Sequence, residues 1–337
     1  MRSQVKPLYA TVVRNGLVAT FYFQFIPFRS HYFDSPFKKY TVTCWLESLL
    51  VDGRLSLLVC GNLIAIDAPG YYFDTLPLNA DPNNVLQEVV QRVQNLKPAS
   101  ITVIKDCDDN LFATLKQHGY SEFGTDLTMA LTLNKKWNTF DDYLHALKHK
   151  YAQRARKLIR DAAAVDRRNI DVAQFTNLRL QFQRLFQNVT QRQSIRLLIP
   201  EMDYYEDLLR HDSRFSITGY FQNHQPVAFA TYFTTNDETE MHYIGMDYSA
   251  NERYHLYFNM MFDGIRKAIE NKSHVLEMGR TARQAKVIVG AKPVYFNSAL
   301  RFHNPLARWV FNTLRSRFAK KAGADWEPRH PFKSVEN

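Results

Sequence analysis

Apolar and polar residues alternate with a period of two across residues 9–28, interrupted once by Arg14-Asn15-Gly16. Alternation sends successive side chains to opposite faces of a strand, and Asn-Gly favours the left-handed turn of a tight hairpin, so two strands are expected here. Residues 41–47 and the Leu, Val and Ile-rich stretch 54–66 read as further strands. Asp81-Pro82-Asn83-Asn84 has the chemistry of a helix start, and apolar residues at 85, 86, 89, 90 and 93 fall on one face of a helix over 85–96. Residues 101–104 read as a strand, 111–117 as a helix closed by Gly119, and 128–133 as a strand.

Residues 137–164 carry an almost unbroken helical pattern with a break expected near Tyr151. The order then starts again. Residues 175–189 are amphipathic, with apolar positions at 178, 182, 185, 186 and 189, and 204–210 form a short helix. Residues 215–221 and 226–234 make a hairpin around Asn223-His224-Gln225; 240–248 is a third strand, 254–270 a long helix and 275–278 a fourth strand. Strands mixed with helices in this order predict an α/β (mixed α+β) fold with mixed sheets flanked by helices. The second half repeats the first in topology without repeating it in sequence. The domains expected are 1–135, connecting basic helices over 136–168, a second domain over 169–300, and a basic C-terminal helix and tail over 301–337.

Composition narrows the class. The 337 residues are 45% hydrophobic and 14% aromatic, enough to bury two cores, and 12 Gly and 13 Pro exclude a low-complexity chain. Cys44, Cys60 and Cys107 have no metal spacing and read as reduced, buried thiols, which with the lack of a signal-peptide pattern points to a cytoplasmic protein. No apolar run reaches transmembrane length. The net charge of +10 is uneven: residues 148–160 hold six Lys or Arg and no acid, and residues 301–337 hold eight against three acids. Such an excess suits an anionic small molecule, a nucleotide-linked substrate, tRNA or an anionic membrane surface, or else simply a solvated face. The terminal helix over 305–321, with Leu306, Trp309, Val310, Phe311, Leu314 and Phe318, either docks on its domain or lies on a membrane surface. No DNA-recognition motif accompanies the charge.

The candidate chemistry concentrates in residues 276–294. A short strand runs into Gly279-Arg280, Thr281 stands at the expected helix N-cap, Lys286 lies on the short helix, and Gly290 stops it before Pro293. This suits holding an acyl carbonyl or a phosphate; the plainer reading is a strand-helix-strand connection with solvated basic residues. The segment resembles the strand-Gly-Arg-Thr, Lys-bearing helix, Gly-Ala-x-Pro signature of FemAB-like members of the GNAT acyltransferase superfamily. Upstream, Trp137-Asn138-Thr139-Phe140-Asp141-Asp142-Tyr143-Leu144 and the following Arg154-Ala155-Arg156-Lys157 are similar to that family's W-x-x-hydrophobic-D-x-Y-L helix and its basic successor. The resemblance spans residues 8–300.

It implies two tandem GNAT-like domains around a shared cleft, the first abridged, and an acyl group passed to an amine of a cell-envelope precursor, polysaccharide or small metabolite. The donor would be an acyl-CoA, acetyl-CoA included, or an aminoacyl-tRNA, with no metal. Ordinary GNAT enzymes grip CoA pyrophosphate with a Gln/Arg-x-x-Gly-x-Gly/Ala loop; here residues 247–255 contain no glycine, which makes simple acetyl-CoA use doubtful. Glu240, His242 and Tyr243, on the strand before that loop, are the candidate proton acceptors; alternation sets Glu240 and His242 on one face and Tyr243 on the other. Lys286 matches the position where relatives place a Lys facing the acyl donor, and would stabilise an oxyanion. Arg280, Arg253 and Thr281 are candidate donor contacts, Glu277 and Arg154 candidate acceptor contacts. A non-catalytic module that binds an anionic partner remains the alternative. No Gly-x-Ser-x-Gly, P-loop or His-Glu-x-x-His sequence offers another chemistry.

Overall fold

Asn15 and Gly16, at φ 46° and 76°, take the left-handed turn that joins β1 (Lys6–Arg14) to β2 (Leu17–Pro27), as the Asn-Gly pair predicts. The computed structural model describes residues 5–27, 55–65, 69–78, 80–192, 199–319 and 326–333; Cys44 and the strand expected over 41–47 lie outside them. The chain divides into two units. One comprises Met1–Asp126, Ser194–Ile199 and Tyr295–Gly323, the other Leu127–Gln193, Pro200–Val294 and Ala324–Asn337.

In the first unit β2 pairs antiparallel with β3 (Ser56–Cys60) and with β4 (Tyr71–Thr75). β3 pairs parallel with β5 (Ile101–Cys107). Helix α1 (Pro82–Leu96) starts where the Asp81 carboxylate accepts the Asn83 N–H, and α2 (Asp109–Gln117) where Asp108 accepts that of Leu111. Their apolar stripes, Val85, Leu86, Val89 and Val90 with Leu111 and Leu115, bury Phe21, Phe23, Leu58 and Ile104 of the strands. A second cluster collects the alternate positions Ile26, Leu57, Val59, Ile101 and Val103.

In the second unit, β6 (Ser121–Thr132) pairs antiparallel with β11 (Val275–Glu277), which pairs parallel with β10 (Glu238–Met246). β10, β9 (Gln225–Thr234), β8 (Phe215–Gln222) and β7 (Asp166–Asn169) then follow as antiparallel neighbours. Helices clothe both faces. Tyr220, Ala228, Ala230, Tyr232 and Met241 pack with α3 (Phe140–Ala146), α4 (His149–Asp161) and α8 (Leu256–Glu270). The alternate positions Phe215, Ile217, Phe221 and Phe229 pack with Phe175, Phe182 and Phe186 of α5 (Val172–Thr190) and Tyr205 of α6 (Met202–His211). This strand-helix order is the mixed α/β fold expected.

Several expectations are corrected. Residues 137–164 form two helices, and the break lies at Leu147 and Lys148 instead of Tyr151: Leu147 is extended and bridges Phe332, while the Lys148 N–H donates to the Pro331 carbonyl at 2.7 Å. These helices are not connectors, since Tyr143, Leu144, Ala152, Ala155 and Leu158 are part of the second unit's core. Residues 292–302 form a strand that the periodicity did not reveal, β12 (Lys292–Phe302); it pairs antiparallel with β5, so Tyr295–Gly323 returns to the first unit and the expected boundaries at 135, 168 and 300 shift. Helix α10 (Pro305–Ala319) follows it, with Phe311 packed on Phe302 at 5.1 Å and Leu306 and Trp309 exposed. Among the described residues, no helix is long and apolar enough to cross a membrane.

Candidate active site

The middle of β10 is irregular. Its register with β9 shifts between Met241 and Ile244, leaving the Tyr243 backbone outside the ladder. Thr231, fully buried, repairs this: its hydroxyl accepts the Tyr243 N–H at 2.8 Å and donates to the Tyr243 carbonyl at 3.0 Å. The bulge corrects the simple alternation expected for this strand. The Tyr243 and His242 rings meet edge to face at 4.6 Å, and both pack toward α6, Tyr243 on Tyr205 and His242 on Tyr204.

His242 is held from both sides. Its Nδ1 lies 3.0 Å from Glu240 Oε1 and its Nε2 3.1 Å from the Tyr204 hydroxyl. The imidazole side chain is 2% exposed, that of Glu240 18%, so the carboxylate is the solvent-facing end of a Tyr204–His242–Glu240 chain. Burial pushes the Tyr243 phenol up to about 12; Glu240 adds to the rise and the Arg280 guanidinium opposes it. Arg280 and Glu240 therefore act on one ring.

Beside this chain lies a second carboxylate. Glu277 is the partner of Glu240 in the parallel β10–β11 pair and is itself buried. Its Oε1 accepts from the Thr128 hydroxyl and from the Gly279 N–H at 2.6 Å, while Oε2 is buried with no hydrogen-bond partner. Burial raises the Glu277 carboxyl above the ordinary glutamate value, and the two bonds oppose that rise; the neighbouring Glu240 adds to it and Lys286 counters it.

Lys286 is not the solvated residue its short helix suggested. It is 2% exposed, and its ammonium donates to the Gly279 carbonyl at 2.9 Å. Burial lowers its proton affinity, with Glu277 pulling the other way. Gly279 sits at φ 87°, the left-handed turn that favours glycine, whereas a Cβ there would only reach ordinary contact with the Lys286 Nζ at 3.5 Å. Glu277 and Lys286 thus clamp the two sides of Gly279, immediately before Arg280. Thr281 is exposed and does not cap; Ala282, at φ 52°, takes the N-cap position of α9 (Arg283–Ile288) without a side-chain bond.

The other candidates lie apart from this cluster. Arg154 is exposed on α4 over the Phe258 ring at 5.3 Å. The glycine-free segment after β10 is a helix, α7 (Tyr248–Tyr254), and Arg253 in its last turn is exposed over the Tyr254 ring at 5.2 Å. Asp247 caps that helix by accepting the Ser249 and Ala250 N–H groups, and its bonds with Ser249 hold its carboxyl below the usual range. Left-handed His255, at φ 51°, then separates α7 from α8, where one helix beginning at Tyr254 was expected. Tyr204 and Thr128 were not foreseen: each is an ordinary helix or strand position until β10 and β11 bring His242 and Glu277 beside it. No group of three or more His, Cys, Asp or Glu arranged to hold a metal occurs among the described residues.

Residues 149–287, from the start of α4 into α9, match the family described as acetyltransferase (GNAT) domain. Among solved structures the chain is similar to FemX, with a TM-score of 0.60 at 11% identity over 91% of this chain and 90% of that one. It is also similar to L-PGS from Bacillus licheniformis, with a TM-score of 0.52 at 12% identity over 94% and 89% of the two chains. Comparison by sequence with curated proteins gives no match. At these identities the solved structures speak for the fold, and the family match for the class of chemistry. Residues 149–287 thus carry the match to a GNAT acetyltransferase domain, and the chain as a whole shares its fold with FemX.

Proposed function

We propose that this protein is an N-acyltransferase that moves an acyl or aminoacyl group onto an amine of a cell-envelope precursor, polysaccharide or small metabolite, with Glu240 as proton acceptor. The observation that carries this reading is the Tyr204–His242–Glu240 chain, which ends in a part-exposed carboxylate whose charge, like that of Arg280, acts on the Tyr243 ring. His242 has both ring nitrogens engaged, so it orients Glu240 instead of meeting substrate itself. Glu240 would take the proton of the attacking ammonium. The amine nitrogen then bonds to the acyl carbon, and the donor's thiolate or ribose oxygen leaves with a proton. Arg280 would hold the donor's anionic group or the developing oxyanion. Lys286 and Glu277, bonded to opposite sides of Gly279, would keep the Arg280 turn in position.

The donor reading leans away from acetyl-CoA. A GNAT-type pyrophosphate grip needs free backbone N–H groups after the central strand. Here Ser249 and Ala250 give theirs to the Asp247 carboxylate, a fixed negative charge where a phosphate would have to sit. That favours an aminoacyl-tRNA donor, or an acyl-CoA held elsewhere, as the resemblance to FemAB-like proteins implies. The test is turnover with aminoacyl-tRNA and acyl-CoA donors against a panel of amines, in wild type and Glu240→Gln. Transfer in wild type that falls about 10²–10⁴-fold in the variant is expected. No transfer from any donor, with retained binding of an anionic partner, would favour a non-catalytic module.

A further inference from the structure

The α8 face of the second unit carries a groove that the acyl-transfer site does not use. Met241 packs on Gly264 of α8, whereas Glu240 and His242 alternate to the α6 side, so this groove and the proton-acceptor chain lie on opposite faces of β10. The groove, of about 390 Å³, is lined by Arg167, Arg168 and Asn169 of edge strand β7 and by Asp263, Arg266 and Lys267 of α8, with Thr218 and Glu270 completing it. Four cations face two carboxylates.

Its cations are fixed, not free-swinging. Asp263, largely buried, accepts from Arg167 at 2.9 Å and Arg266 at 2.5 Å on one oxygen, and from the buried Tyr220 hydroxyl at 2.7 Å on the other. One carboxylate thus holds two guanidinium groups, each of which keeps further N–H donors. Arg266 also lies over the Phe140 ring at 4.0 Å, Arg168 over Phe221 at 4.0 Å and Lys267 over Tyr232 at 5.3 Å. Asn169 accepts from Lys267 at 3.4 Å, which leaves its amide N–H donors for a ligand. An edge strand is protected by one or two charges; four converging cations, two of them anchored on a buried acid, go beyond that need.

We propose that this groove binds a small phosphate-bearing ligand, a diphosphate or phosphomonoester, at a site separate from acyl transfer. Guanidinium forks match phosphate oxygens in pairs, and the groove stays net positive even with Asp166 paired to Arg168 at 3.3 Å, which suits an anion. The rings beneath the cations are already covered, so no aromatic face is offered for base stacking, which disfavours single-stranded nucleic acid. The lining has no apolar side chain for an acyl tail, which disfavours a lipid.

Inorganic diphosphate and inorganic phosphate, at constant ionic strength, would be titrated calorimetrically into wild type, Arg168→Gln/Lys267→Gln and Lys267→Gln alone. Neither residue bonds to Asp263, so its clamp stays intact, and the single variant carries the test where the double variant does not fold. Diphosphate binding in wild type, weakened about tenfold or more in the variants, is the expected result. Absent wild-type binding, or equal binding in all proteins, overturns the proposal. So does a groove-dependent response to uncharged tRNA or to phosphatidylglycerol vesicles in the absence of one to diphosphate, since either would assign the groove to a macromolecular polyanion.

Discussion

Glu240 and Glu277 are cross-strand partners in the parallel β10–β11 pair, yet one carboxylate reaches solvent and the other is buried with an unpartnered oxygen. Neighbouring strands lie only about 4.8 Å apart, and the Glu240 charge adds to the rise of the Glu277 carboxyl. Their surroundings divide the roles: Glu240 is tied to His242, while Glu277 is tied to Thr128 and the Gly279 backbone.

Glu240→Gln should cut turnover about 10²–10⁴-fold, because an amide cannot accept the ammonium proton. Its melting temperature should stay close to wild type, the amide oxygen still bonding His242. Thermal melting beside a turnover assay separates the two effects; an equally active variant would remove Glu240 from the mechanism.

Glu277→Gln should change how stability depends on pH. Burial raises the native Glu277 carboxyl above its unfolded value, so the native state binds that proton more tightly. The stability it contributes is full below the unfolded value and is lost as pH rises through the raised native one. The Gln variant has no such loss. Its melting temperature relative to wild type should therefore climb from pH 4 toward pH 8, and a constant difference across that range would contradict the assignment.

Lys286→Ala and Lys286→Met should behave differently. Alanine leaves a cavity and an unpaired Gly279 carbonyl, and should destabilise by about 2–5 kcal/mol. Methionine fills the space and abolishes the cost of burying an ammonium, so its fold should survive with a loss within about 2 kcal/mol. Both should lower turnover, as the Arg280 turn loses its clamp. Equal, negligible effects on melting would mean that Lys286 is exposed in solution.

Thr231→Val removes the hydroxyl that serves both backbone groups of Tyr243 in the bulge. An unsatisfied buried polar group costs about 1–3 kcal/mol. A loss in that range by denaturant unfolding is expected, with a fall in turnover as the adjacent His242 loses its setting.

Acetyl-CoA should not bind with micromolar affinity, about −8 kcal/mol, because Asp247 occupies the N–H groups that would cradle pyrophosphate. Calorimetric titration checks this directly; tight binding would restore a plain acetyltransferase.

Much of the local structure was legible in the chain. Asn15-Gly16, Asp81-Pro82 and Gly119 punctuate elements through their own backbone chemistry, and the apolar stripes of α1 and α5 follow from period alone. The resemblance of residues 276–294 also led to Gly279, Arg280 and Lys286, and the strand before the glycine-free segment to Glu240 and His242. What failed locally failed for tertiary reasons. Leu147 ends α3 because Phe332, far along the chain, bridges it, and β12 is a strand because β5 is there to pair with it.

The sequence by itself determined the class of fold, the order of most elements and the neighbourhood of the candidate site, because caps, turns and hydrophobic period act over a few residues. Only the tertiary structure decided which side chains are buried and which are paired. Lys286 looks like a surface charge on a six-residue helix until Gly279 and Glu277 enclose it. Tyr243 leaves its expected face because Thr231 of the neighbouring strand satisfies the bulge, and Tyr204 joins His242 only when α6 packs on β10. Burial and hydrogen-bond partnership depend on residues distant in sequence, and no local pattern encodes them.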